Sequence, residues 1–131
     1  MAKTISIQSH VHNICKIEHF LNNVFKELKF SRKIYCKLYL STIEAVNNAI
    51  IHGNSCDINK KVNVKLSDLL NRIVVEIKDE GDGFKYESVS DPTQPNNIKK
   101  ESGRGIFIMK QYADQIKYNE SGNKVKLIFN K

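Results

Sequence analysis

No apolar run in this chain approaches the roughly 20 residues that a membrane-spanning helix needs. The opening MAKTISIQSH lacks the charged-then-apolar layout of a secretory signal, so a cytoplasmic setting is expected. Cysteine is scarce: Cys15, Cys36 and Cys56 are odd in number, widely spaced and never in a CxxC pair. That argues against a zinc site or a disulfide framework, and the three are expected to be reduced and mostly packing residues. A dense basic block is also missing. The net charge is +7, but the Lys and Arg residues are scattered and no aromatic platform interleaves them. Such a field favours an acidic partner or a phosphorylated ligand over a nucleic-acid groove, and direct nucleic-acid binding is not expected. There is no internal repeat. With 131 residues, 40% of them hydrophobic and 27% charged, the composition is that of one ordinary soluble domain spanning 1–131.

What is present is strongly periodic. Lys3 to Gln8 alternates, with Ile5 and Ile7 on one face, and reads as a strand. From about Asn13 to Lys29, Ile14, Ile17, Leu21, Val24 and Leu28 recur at helical spacing. His10, His12 and His19 fall in or beside this helix and are expected at the surface, since no carboxylate or cysteine clusters with them. Ser31 is placed to cap a second helix, which Gly53 would end as its C′ residue. Val62, Val64 and Leu66 alternate, Leu69 to Arg72 turns the chain, and Ile73, Val75 and Ile77 alternate again, as in an antiparallel hairpin. Gln115–Tyr118 and Lys124–Phe129, joined by Ser121-Gly122-Asn123, form a closing hairpin.

Residues Ser41 to Asn54, STIEAVNNAIIHGN, carry the first chemistry. At about 100° per residue, Tyr39, Ile43, Val46 and Ile50 share one arc, and Leu38, Ala45 and Ala49 lie opposite. Between them runs a polar stripe of Ser41, Glu44, Asn48 and His52. Glu44 and Asn48 lie one helical turn apart and project into one volume. A carboxylate there can take a proton, and a carboxamide oxygen can ligand a hard cation such as magnesium. The stripe also reads as a solvated face. Against that, Asn is a poor mid-helix residue, and here Asn47 and Asn48 sit together.

The second block is Asp79-Glu80-Gly81-Asp82-Gly83. Asp79 shares the parity of Ile77, so the core-facing row of its strand ends in a carboxylate. A partly buried carboxylate needs a donor, and none is obvious nearby in the sequence. A ligand amino group would serve. Lys85 to Ser102 holds both prolines and little periodicity, the composition of a functional loop or lid. It ends in Ser102-Gly103-Arg104-Gly105, after which Ile106 to Tyr112 reads as a helix. Glycines against a helix N-terminus offer N–H groups and a positive dipole end to phosphate. No Gly-Lys-Ser/Thr follows, so this is not a P-loop, and Ile108 stands where a dinucleotide fingerprint needs its third glycine.

E-x-x-x-N on a helix, D-x-G-x-G after a strand, then G-x-G before a helix, in that order, resembles the three nucleotide-binding boxes of the GHKL ATPase superfamily. EAVNNAIIHGN, IKDEGDGF and ESGRGIFIMKQYAD are most similar to the anti-sigma-factor serine kinases of the RsbW and SpoIIAB type. The resemblance spans roughly residues 5 to 130. It implies an α+β fold, a two-layer α/β sandwich with helices on one face of a mixed, mainly antiparallel sheet (the Bergerat ATP-binding fold). It also implies ATP and magnesium. Position by position, Glu44 matches the catalytic base and Asn48 the magnesium ligand, while Asp79 matches the acceptor of the adenine amino group. Gly81 and Gly83 match the glycines lining adenine and ribose. Gly103 and Gly105, with Arg104 and Ile106, match the stretch that meets the phosphates. His52 matches the histidine that closes the first box. Members often carry Gly-Thr-x-Val near the last strand, where this chain has Gly122-Asn123-Lys124-Val125.

The function implied is an ATP-dependent serine/threonine-protein kinase and anti-sigma factor. It would phosphorylate a STAS-type anti-sigma-factor antagonist and sequester a sigma factor, with a homodimer as the expected assembly and no membrane contact. Two other readings are open on the sequence. One is a nucleotide-sensing sequestration module without transfer, against which the intact Glu44 argues. The other is an isolated histidine-kinase catalytic domain, for which Glu18-His19-Phe20 is only a shadow of a phosphoacceptor helix.

Overall fold

The computed structural model describes residues 1–81 and 108–131. In chain order it builds strand β1 (Ala2–Gln8), helix α1 (Ile14–Leu28), helix α2 (Arg32–Asn48), β2 (Lys61–Asp68), β3 (Arg72–Lys78), β4 (Gln115–Tyr118) and β5 (Lys124–Asn130). A wide π-helical turn, Ala49–Gly53, follows α2 directly. Residues 108–112 are also helical. The alternation read from the sequence places every one of these strands, and the 3.6-residue period places α1 and α2.

The strands form one sheet in the order β1-β2-β3-β5-β4, and every pairing in it is antiparallel. Register follows the hydrophobic rows, because a one-residue slip would turn each row to the wrong face. Ile5 sits opposite Val64, Val64 opposite Ile77, and Ile77 opposite Val125. This continuous apolar row crosses four strands. Helices α1 and α2 cover that side of the sheet. Ile17, Leu21 and Val24 of α1 meet Leu38, Val46 and Ile50 in a core floored by Val62, Leu66, Ile73, Leu127 and Phe129. Each such side chain contributes roughly 1.5–3 kcal/mol by leaving water. The layers and the α+β class are those of the GHKL fold.

The helix ends are local chemistry. Ser31 Oγ accepts from the amide of Ile34 at 3.2 Å and caps α2, as expected. Lys29, in the left-handed region at φ 52°, closes α1 by donating its N–H to Phe25 O. Gly53 is different: its φ is not positive, so it is not the left-handed C′ residue that the sequence suggests. Chain reversal falls instead to Ser55 and Cys56, at φ 52° and 57°. The three cysteines are exposed and free, which corrects their reading as packing residues. His10, His12 and His19 are exposed as expected, and no group of metal-ligating side chains occurs among the described residues. No described helix is long and apolar enough to cross a membrane.

Candidate active site

The carboxylate of Asp79 is the buried polar centre of a cleft between α2, β3 and the β4–β5 hairpin. Parity carries it there, because the row Ile73, Val75, Ile77 points into the core and Asp79 is next in that row. It is 5% exposed. Burial pushes its carboxyl above the ordinary range, and the Gly81 amide and the Lys60 charge pull it back only in part. The donor that the sequence did not make obvious is the backbone of Gly81, whose N–H reaches Asp79 Oδ1 at 2.9 Å. An Asp bonded to the amide two residues ahead is an Asx turn, so D-x-G was the signal that could have named it. The other carboxylate oxygen, Oδ2, faces Gly53.

The cleft around Asp79 is built from several elements. Ala45, Asn48 and Ala49 come from α2 and the π turn, Ile77 from β3, and Met109 from the helical residues 108–112. Tyr118, Gly122, Asn123 and Lys124 close it from the β4–β5 hairpin. Asn119 shapes that hairpin: its Oδ1 accepts from the amides of Asn123 and Lys124 at 3.1 and 3.2 Å, and its Nδ2 donates to Asn123 Oδ1. Gly122 supplies the positive φ of 76° that the turn needs. The turn delivers Asn123 to Asp79, whose N–H donates to Asn123 O at 2.9 Å. Asn123 and Lys124 thus stand beside the carboxylate, in the tetrapeptide that replaces Gly-Thr-x-Val.

Along the polar stripe of α2, burial falls steadily from one end to the other. Ser41 is fully buried, Glu44 and Asn48 are half-buried, and His52 is exposed. The stripe is therefore not a solvated face. Burial raises the Glu44 carboxyl above its ordinary value, which makes it a better proton acceptor near neutrality. Asn48 lies on the cleft wall with a buried amide nitrogen that has no partner among the described residues. A half-turn of that amide exchanges nitrogen for oxygen and presents a ligand for a hard cation. His52 leaves the stripe because the π turn carries more residues per turn than an α-helix, which rotates it to solvent. It is not among the residues lining the cleft.

Two glycines bring the walls together. A methyl group on Gly53 would lie 2.2 Å from Asp79 Oδ2, and one on Gly81 would lie 1.8 Å from Gly53 O. Gly83, Gly103, Arg104, Gly105 and Ile106, and the Lys85 to Ser102 segment, lie outside the described residues.

Sequence reasoning missed Asn54. It is 1% exposed. Its amide donates to Ser9 Oγ at 2.7 Å and to Lys61 O at 3.0 Å, while its Oδ1 accepts from the Glu80 amide at 2.8 Å. Ser9 in turn donates to Lys60 O at 2.6 Å. One side chain thus ties the end of β1, the end of the π turn, the start of β2 and the Asp79–Gly81 turn. Its position directly after Gly53 was the only local hint.

A carboxylate buried at a strand end and an Asn of the facing helix line one cleft, with Glu44 one helical turn before that Asn and two glycines in contact beside the carboxylate. The family model described as "Histidine kinase-like ATPase domain" matches residues 7–129. The chain belongs to this family. Among curated proteins it is similar to an anti-sigma F factor of Clostridium perfringens (strain SM101 / Type A). The two are 34% identical over 91 residues, covering 67% of this chain and 65% of that protein. It is also similar to the serine-protein kinase RsbW of Oceanobacillus iheyensis, 25% identical over 105 residues, with 76% of this chain and 66% of the relative covered. The RsbW kinase of Staphylococcus aureus (strain JH9) is 32% identical over 91 residues, with 63% and 57% covered. The matched region thus spans slightly under two thirds of the first two relatives and 57% of the third. In the cleft, β3, α2 and the β4–β5 hairpin converge on Asp79.

Proposed function

We propose that this protein is an ATP-dependent serine/threonine-protein kinase and anti-sigma factor. It phosphorylates a serine of a STAS-type anti-sigma-factor antagonist and sequesters a sigma factor when the antagonist is absent. The observation that carries this reading is the placement of Asp79 and Asn48 on one cleft, with Glu44 one helical turn before Asn48, in a chain similar to proteins named for both activities.

In this reading the Asp79 carboxylate accepts a hydrogen bond from the exocyclic amino group of adenine. Gly53 and Gly81, having no side chains, let the purine and the backbone approach it. Gly83 lines the same side. Gly103, Arg104, Gly105 and Ile106 meet the phosphates through backbone amides and the Arg104 charge, and His52 closes the first box at its rim. Asn48 would hold a magnesium ion, which supplies charge neutralisation on the phosphate oxygens when bound. Glu44 takes the proton from the incoming serine hydroxyl. The serine oxygen then forms its bond to the γ-phosphorus as the bond to the β–γ bridging oxygen breaks, and ADP leaves. The chain works as a single domain, as a homodimer in the cytoplasm.

The test is incubation of the protein with γ-labelled ATP and candidate STAS-type antagonists. Acid-stable phosphoserine on the antagonist supports the reading. Tight antagonist binding with no ATP consumption would make the protein a sequestration module. Acid-labile label would mark a histidine kinase.

A further inference from the structure

The Lys and Arg residues that look scattered in the sequence are gathered by the sheet. On each strand the residues alternating with the core row point to the side that α1 and α2 do not cover. There β2 places Lys61 and Lys65, and β3 places Arg72 and Lys78. On the same side β5 places Lys124 and Lys126, and β4 places Lys117. Register lines them up across the strands: Lys65, Glu76, Lys126 and Lys117 form one row, and Asn63, Lys78 and Lys124 the next.

Glu76 is the acid within these rows, and it is already held by Lys124 at 3.2 Å and Lys126 at 3.5 Å. Those two cations outweigh its burial and keep its carboxyl below the ordinary range. Among the described residues, Lys61, Lys65, Arg72, Lys78 and Lys117 have no carboxylate partner. With seven cations against one acid, this face carries most of the chain's net charge of +7. The rest of the sequence holds nearly equal numbers of the two signs. The positive field is therefore one-sided.

We infer that the open face of the sheet is a docking surface for an acidic protein segment. A concavity of about 420 Å³ lies on it, ringed by Lys65, Lys78 and Lys124 against the single acid Glu76, with Thr4, Ser6 and Asn63 as neutral hydrogen-bonding groups. Carboxylates entering there meet Lys65 and Lys78, which have no carboxylate partner among the described residues, beside Lys124, which Glu76 already holds. Half-buried Val74, one row away, gives an apolar contact beside the charge. The chemistry favours a protein over a nucleic acid. Among the described residues, no aromatic side chain stands on the strands of this face to stack on a base, and Arg72 is its one guanidinium. A second copy is disfavoured as well, because two such faces would repel. The inference does not rest on the kinase reading, since the surface needs no nucleotide and, Lys124 apart, shares no lining residue with the cleft.

Charge placement, rather than total charge, decides the matter. The full chain is titrated without nucleotide against poly-L-glutamate of defined length. Two variants are compared with wild type: K65E/K78E/K117E on the sheet face and K16E/K26E/K33E on the exposed helix surface. Each reversal changes the charge by two, so both variants fall from +7 to +1. The sheet variant should lose about tenfold in affinity and the helix variant less than about threefold, with wild-type binding weakening as salt rises. Equal losses in the two variants would overturn the inference, leaving only a diffuse field. If the sheet variant does not fold by circular dichroism, K65Q/K78Q/K117Q removes the charges without adding repulsion, and unchanged affinity there overturns it equally. Oligodeoxythymidylate of matched charge that binds more tightly than poly-L-glutamate, through the same lysines, would overturn it in favour of a nucleic-acid surface.

Discussion

Gly53 and Gly81 touch backbone to backbone, so closely that a methyl group added to Gly81 would fall 1.8 Å from the Gly53 carbonyl oxygen. This contact joins the end of α2's π turn to the loop after β3, and the Asp79 carboxylate is held between them. Neither glycine is needed for an unusual φ, since neither has a positive one. Both are needed for space.

Gly53→Ala should therefore displace Asp79, because the new methyl group would meet Oδ2 at 2.2 Å. Overpacking of this kind costs roughly 1–3 kcal/mol. Chemical denaturation should show that loss, and calorimetry should show weakened adenine nucleotide binding. Wild-type stability together with wild-type affinity would mean that the loop moves aside freely.

Asn54→Ala should leave Ser9 Oγ, the Lys61 carbonyl and the Glu80 amide without their buried partner. Unpaired buried groups cost about 1–3 kcal/mol. Hydrogen exchange at the Glu80 amide reports locally, and it should speed up far more than exchange at the centre of β3. Uniform acceleration across β3 would indicate general destabilisation without a local hinge at Asn54.

Most of the architecture is legible along the chain because it rests on periodicity. Ile5, Ile7, Val62, Val64, Leu66, Ile73, Val75 and Ile77 alternate, and each lands on the covered side of the sheet. Asp79 is legible for the same reason, as the next member of a core-facing row. What is not legible depends on contacts distant in sequence. Gly53 looks like a helix terminator, and only the return of the chain at Asp79 gives it another purpose. Ser41 looks like part of a polar face, yet the packing around this part of α2 leaves it fully buried. The lysines look scattered because strand register, which a single strand does not display, decides which of them become neighbours.

Asp79→Asn should separate stability from binding. Burial raises the Asp79 carboxyl, with the Gly81 amide and Lys60 only partly opposing it. The folded state then binds a proton more readily than the unfolded chain. Asp79 therefore favours folding below its unfolded value, and that contribution is lost as pH rises through its raised folded value. In the wild-type protein the carboxylate is thus a burden at neutral pH without ligand. The variant should be at least as stable as wild type at neutral pH, with its relative advantage shrinking as pH falls through the carboxylate range. Its ADP affinity should drop, because the amide group offers one acceptor oxygen where the carboxylate offers two. Thermal melts from acidic to neutral pH, paired with calorimetry, test both halves, and unchanged ADP affinity would remove Asp79 from the site.

Glu44→Gln should separate chemistry from binding. The change preserves side-chain size and one acceptor oxygen while removing the charge and most of the basicity. Glu44 is half-buried, and burial raises its carboxyl, as suits a proton acceptor near neutrality. Loss of a general base costs about 10²–10⁴ in rate. Asn48 remains on the cleft wall in this variant, so ATP affinity should change little. Asn48→Ala should behave in the opposite order. Removing its amide takes away the group whose buried nitrogen has no partner among the described residues. Binding of ATP in the presence of magnesium should fall first, and turnover should fall as a consequence. The contrast is measured as ATP affinity and single-turnover phosphorylation of the antagonist in both variants. A Glu44→Gln protein that transfers phosphate at the wild-type rate would show that the proton goes elsewhere, and Glu44 would lose its role as base.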